Sequence, residues 1–112
     1  MSKKWTSRLA LSLSLSFLLG TIAHSGVATA AGDATAGADK TAACVACHGA
    51  DGHPAVAMYP TLAGQDAAYL EDALKAYRAG ERTEGMAALM TPQATNLSDQ
   101  DIKDLAAHYS AQ

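Results

Sequence analysis

At 112 residues the chain has room for a single domain. Eight basic and eleven acidic side chains leave a formal charge of −3 at pH 7. That balance argues against a nucleic-acid partner, since phosphate backbones are gripped by surplus Lys and Arg.

The first thirty residues read as a segment apart. Lys3, Lys4 and Arg8 make a positive start, and Leu9 to Ala23 is an uncharged apolar run rich in Leu and Ser. Ala28-Thr29-Ala30 then offers small residues where a signal peptidase reads them. The apolar run is short for a bilayer span, which needs about 20 residues. The expectation is a signal peptide over residues 1–30, cut after Ala30 or Ala31, and an exported, periplasmic domain over residues 31–112 with no membrane span. Without the leader, five basic residues stand against eleven acidic ones, a net −6.

Trp5 and Phe17 also fall in the leader, so the exported part has neither Trp nor Phe. Its large aliphatic residues are Val45, Val56, Leu62, Leu70, Leu74, Leu89, Leu97, Ile102 and Leu105. Each contributes roughly 1.5–3 kcal/mol when buried, set against the ordering entropy of some eighty residues. Such a core is weak for a domain of this size, and something else must fill the middle.

In chain order, Asp33 to Cys47 is dense in Ala and free of proline, which predicts a first helix. Gly49, Gly52 and Pro54 end it, and a loop follows to about residue 65, with Pro60 and Gly64 inside it. A second helix is predicted over 66–79, where Tyr69, Leu70, Ala73, Leu74 and Tyr77 form one stripe. Glu71 and Lys75 make an i, i+4 pair on its solvent side, and Gly80 stops it. Residues 81–97 read as mostly irregular, with one helical turn around Met86–Leu89. The last helix has the clearest start: Ser98 at the N-cap and Asp101 at N3 approach a capping box. Ile102, Leu105, Ala106 and Tyr109 form its buried stripe. No segment alternates as a strand does, so the fold class is all-α.

The first predicted helix ends in Cys44-Val45-Ala46-Cys47-His48, and Cys-x-x-Cys-His is the attachment signature of a c-type haem. Each thiol adds to one haem vinyl group and the following imidazole reaches the iron. A porphyrin would also be the missing interior. Two other readings of the same residues exist. A thiol–disulfide pair normally opens a helix after a strand, whereas helical sequence precedes this one. A tetrahedral zinc site needs four ligands, and Cys47 and His48 would share it with only His53 and His108 to help. With a haem, His48 is the proximal ligand and a thioether suits the distal face, because Met with His raises the reduction potential. Met58, Met86 and Met90 are the candidates. His53 follows the motif too closely to reach the opposite face and reads as a solvent-exposed loop histidine.

These residues resemble those of the class I c-type cytochromes, the small bacterial monohaem group, and equally one domain of the dihaem c-type cytochromes. The similarity runs from about Gly37 to Ser110. Besides Cys44–His48 it rests on His48-Gly49-Ala50-Asp51-Gly52, Pro60-Thr61-Leu62-Ala63-Gly64-Gln65 and Tyr69-Leu70. Met90-Thr91-Pro92 and Leu97-Ser98-Asp99-Gln100-Asp101-Ile102 complete it. The resemblance implies a helical bundle wrapped around covalently attached haem c. It implies thioethers at Cys44 and Cys47, His48 as proximal ligand with its ring held by the Pro60 carbonyl, and Met90 as distal ligand ahead of Met86. It makes Gly37 the residue that lets the first and last helices cross. One position departs: where the family has an aromatic at that crossing, this chain has His108 followed by Tyr109.

The function so implied is one-electron transfer between respiratory redox proteins, a membrane cytochrome complex and an oxidase or reductase, by a monomer that turns over no substrate. The alternative is a haem-binding subunit or small haem enzyme with an open or labile distal position. Lys75, Arg78 and Arg82 could dock a partner or meet a haem propionate, with a solvated helix face as the plainer reading. Tyr59, Tyr69, Tyr77 and Tyr109 read as core residues with hydrogen-bonded tips.

Overall fold

The computed structural model describes residues 31–112, and the leader reading falls outside them. Among the described residues every regular element is helical. They are α1 (Ala34–Ala38), α2 (Val45–His48), α3 (Ala67–Arg78), α4 (Met90–Ala94) and α5 (Asp99–Ser110), with 3₁₀ turns at Thr41–Ala43 and Gly85–Leu89. None is long and apolar enough to cross a membrane.

α5 is the spine, with α1 and α3 packed against it and α4 packed on α3. It starts where the Ser98 side chain accepts from the Asp101 N–H at 3.0 Å while the Asp101 carboxylate accepts from the Ser98 N–H at 2.9 Å, a complete capping box. Ile102, Leu105, Ala106 and Tyr109 are buried along it, and Leu70 of α3 meets Leu105, Ala106 and Tyr109 in a small apolar cluster. Arg78, at the end of α3, donates to the Leu97 carbonyl at 2.9 Å and to the Asp99 carboxylate at 2.6 Å, which ties α3 to the start of α5.

The expected helix over 33–47 is broken into α1, a 3₁₀ turn and α2. Asp33 caps α1 by accepting from the N–H groups of Thr35 and Ala36. Five residues later the Thr41 hydroxyl donates to the Ala38 carbonyl at 2.9 Å, replacing a backbone bond that would have continued the helix. Lys40 turns instead to α5, with its Nζ 2.6 Å from Asp104 and 2.8 Å from Asp101. Gly37 is buried where α1 crosses α5, and a Cβ there would overlap the Asp104 carbonyl and crowd the His108 Cβ. His108 therefore stands at the crossing, while Tyr109 points into the core.

The segment read as irregular over 81–97 contains the Gly85–Leu89 turn and then α4. Pro92 in its first turn costs no helical bond, because N–H groups there have no intrahelical acceptor.

Candidate cofactor site

A cavity of about 720 Å³ is lined by residues of α3 and α5 and of the segments 58–65 and 82–93. That volume is ordinary for a cofactor site, which spans roughly 300–1,000 Å³. Cys44, Cys47 and His48 all line it. α2 brings them there, and Gly49, at φ 82°, ends α2 where a side chain would collide with the His53 backbone.

His48 is buried, and its Nδ1 lies 2.9 Å from the Pro60 carbonyl oxygen. That carbonyl can only accept, so Nδ1–H donates and Nε2 is left with its lone pair as the metal-binding nitrogen. The loop carrying Pro60 is held from behind. The Gly52 carbonyl accepts from Leu62 at 2.8 Å, and the Gly64 N–H donates to the Tyr109 carbonyl at 2.9 Å. Gly52 itself sits at φ 81°, with no room for a Cβ beside Ala63 and the Tyr109 ring.

Both cysteines are half-buried, and they form no disulfide with each other. Burial pushes the Cys44 thiol above its ordinary pKa. Redox-active thiols are shifted the other way, toward thiolate, so Cys44 is unlike the nucleophile of a disulfide oxidoreductase. Among the described residues no three His, Cys, Asp or Glu side chains gather into a metal cluster of their own.

The walls are apolar and unusually open. Met58, Tyr69, Met86 and Leu89 line the cavity yet are between 49 and 61 % exposed. At roughly 25 cal/mol per Å² of apolar surface left in water, this lining fits an apolar body seated between the walls. Tyr109 adds a buried hydroxyl without a hydrogen-bond partner, next to the Cys44 sulfur, and burial raises its pKa strongly. The Tyr59 pKa is also raised, chiefly by the neighbouring Cys47 thiol. The residues present thus fit a porphyrin: two thiols, one oriented imidazole, a largely apolar cavity, and methionines on the wall.

Met90 opens α4 and lines the cavity, as do Met86 and Met58. His53 is exposed beside Asp51, with its carboxylate 3.7 Å away, and is not on the cavity wall. Of the four tyrosines expected in the core with hydrogen-bonded tips, only Tyr109 is buried, and its hydroxyl lacks the partner; Tyr69 is 52 % exposed and Tyr59 and Tyr77 are half-buried. Nor do Lys75, Arg78 and Arg82 share a solvated helix face. Lys75 pairs with Glu71 at 3.3 Å, Arg78 is spent on Leu97 and Asp99, and Arg82 lies beyond the end of α3 on the cavity wall. Glu84 and Gln93 are cavity polar groups that no spacing rule singles out, because they sit in a segment without periodicity.

The cytochrome c family model matches residues 33–109. Cytochrome c-554(548) of Halomonas halodenitrificans is 61 % identical over 82 residues, covering 73 % of this chain and 99 % of that protein. Cytochrome c4 of Pseudomonas aeruginosa is 47 % identical over 95 residues, covering 85 % of this chain but only 46 % of its own length. The crystal structure of reduced recombinant cytochrome c4 from Pseudomonas stutzeri superposes with a TM-score of 0.65 at 44 % identity, over 73 % of this chain and 46 % of that one.

Proposed function

Since the chain belongs to the cytochrome c family and is a carrier of electrons on covalent haem c, we propose that it works in the periplasm as a His/Met-ligated shuttle between respiratory redox proteins. In this reading Cys44 and Cys47 would hold the haem by thioethers, and His48 and Met90 would ligate its iron. The bound haem supplies a one-electron ferric/ferrous couple.

The chain's own residues supply rigidity and access. The observation that carries the ligand assignment is the 2.9 Å contact between His48 Nδ1 and the Pro60 carbonyl, which fixes the imidazole's tautomer and plane before any electron moves. Met90, at the start of α4, is placed by a helix rather than by a free loop. Two ligands that stay bound in both redox states keep the geometry constant, which is what an electron carrier needs and what a substrate-binding haem enzyme lacks. In this reading electrons enter and leave through the haem edge that the walls leave uncovered, during short encounters with a partner. Redox encounters of this kind use small, transient interfaces, and the acidic net charge of the domain suits a partner with a basic docking surface.

The signal-peptide reading of residues 1–30 is what argues for export, and export would supply the compartment for a thioether-bound haem. The test is a pyridine haemochrome spectrum on the secreted protein, with haem staining after denaturing electrophoresis. Two thioethers, stain that stays with the polypeptide, and a ferric absorption band from Met–iron bonding are expected. Colourless protein, or rapid carbon monoxide binding by the unmodified protein, overturns the reading.

A further inference from the structure

We propose that the Tyr109 hydroxyl donates a hydrogen bond to the Cys44 sulfur once that sulfur is a thioether, and so holds one of the cofactor's two covalent tethers in place; this rests on the haem reading above. Tyr109 is 3 % exposed and lines the cavity, and its hydroxyl has no hydrogen-bond partner among the described residues. A buried hydroxyl left without a partner is costly, and native interiors rarely keep one. The ring cannot swing that hydroxyl out to water. Leu70, Leu105 and Ala106 pack around it, and a Cβ at Gly52 would come within 3.0 Å of its Cδ1. The His108 ring meets it edge-on at 5.0 Å between centroids, and the Gly64 N–H holds its backbone carbonyl at 2.9 Å.

The Cys44 sulfur is the group placed to accept. Cys44 packs against the same apolar cluster that holds the Tyr109 ring. Burial raises the Cys44 pKa and the Tyr109 hydroxyl works against that rise, as neighbours within reach of each other do. Burial also pushes the phenol well above the usual tyrosine range, so Tyr109 keeps its proton and is a donor at neutral pH. Attachment changes what the sulfur can do. The S–H of Cys44 adds across a vinyl double bond: sulfur bonds the carbon beside the ring, hydrogen goes to the outer carbon, nothing leaves and nothing is oxidised. The thiol, a weak donor and weak acceptor, becomes a thioether that can only accept. A confined phenol in need of an acceptor and a sulfur that only accepts are then complementary. Cys47 supplies the contrast. Its neighbour Tyr59 is only half-buried, so that hydroxyl can turn to water.

The bond has an electrical consequence. The positive end of the O–H dipole points at the sulfur, which is joined to the ring through one carbon. It favours the electron-richer ferrous state, so loss of the hydroxyl moves the couple toward ferric.

The experiment uses the holoprotein. In the diamagnetic ferrous state, proton NMR of the wild type should show a tyrosine hydroxyl proton protected from exchange with water, with Overhauser contacts to the Cys44 β-protons. Tyr109→Phe should remove that signal, and Tyr59→Phe should leave it. In denaturant titrations Tyr109→Phe should lower the folding equilibrium constant about fivefold, the worth of one satisfied hydrogen bond. By spectroelectrochemistry the same variant should shift the ferric/ferrous equilibrium toward ferric by about twofold to fivefold, since the change cannot exceed what the bond itself is worth. Tyr59→Phe should shift it by less. A hydroxyl proton that exchanges freely, or that contacts water and not Cys44, overturns the proposal. So does a Tyr109→Phe variant more stable than the wild type, which is the result of deleting a hydroxyl that never had a partner, or one whose potential moves no further than that of Tyr59→Phe. Haem stain and the Met–iron band are recorded on every sample. If both are present and the hydroxyl proton is unprotected, only the role of Tyr109 fails; if the wild type lacks them, the haem reading fails and takes this one with it.

Discussion

Gly37 and Asp104 meet backbone to backbone: no side chain fits between α1 and α5, because a Cβ at Gly37 would overlap the Asp104 carbonyl. Gly37→Ala must therefore push the two helices apart. Overpacking of this kind costs typically about 1–3 kcal/mol, and equilibrium denaturation of the holoprotein should show a loss in that range. An unchanged midpoint would mean that the two helices slide past each other at no cost.

The same crossing sets the response to acid. Lys40 holds the carboxyls of Asp104 and Asp101 down to about 2, helped at Asp104 by the Asp33 N–H and Gln100 and at Asp101 by Ser98. Unfolded carboxyls of this type titrate near pH 3.9. Both groups are depressed in the folded state, so their stabilisation is complete above about pH 4 and is lost as the pH falls toward 2. Asp104→Asn should flatten the fall of melting temperature with pH in that window. A slope equal to wild type would show that the network is not coupled to folding.

Capping gives a smaller, cleaner effect. Ser98→Ala removes the oxygen that accepts from the Asp101 N–H, and loss of such a cap costs about 1 kcal/mol. The variant should keep the absorption spectrum of the parent while melting a few degrees lower. A change in the haem spectrum would mean that α5 reaches the iron site more directly than its cap suggests.

The methionines separate by substitution. Met90→Ala should abolish the Met–iron band, lower the potential and admit carbon monoxide, since thioether ligation raises the potential. Met86→Ala should leave all three unchanged. The reverse pattern would move the distal ligand into the Gly85–Leu89 turn.

The two longest helices were legible because their apolar spacing is helical and their ends carry their own signals: Asp66 caps α3 through the Tyr69 N–H, and Ser98 with Asp101 boxes α5. The break after Ala38 was not. Alanine-rich sequence favours helix everywhere, and what ends α1 is the Thr41 hydroxyl and the pull of Lys40 toward α5, a contact 64 positions away. α4 was hidden for the opposite reason, since Pro92 reads as a breaker but stands where it breaks nothing. Within the cavity, Cys44, Cys47 and His48 announce themselves through local spacing. Arg82 reads in the sequence as one of three cations on a helix face; its place on the cavity wall is not legible, because it depends on the turn at Gly80 and on an aromatic ring in the helix before it.

The Asp33 N–H reaches the Asp104 carboxylate across 71 positions, so nearly the whole domain is tied into one ring around the cavity. Closing a ring of that size costs roughly 4 kcal/mol of chain entropy beyond a constant. A polypeptide with so few interior aliphatics has little to set against it until the hollow centre is filled. Topology thus makes the order of maturation a testable expectation: the terminal segments should clasp only once the cofactor lies between them, and apoprotein should be cut by proteases faster than holoprotein.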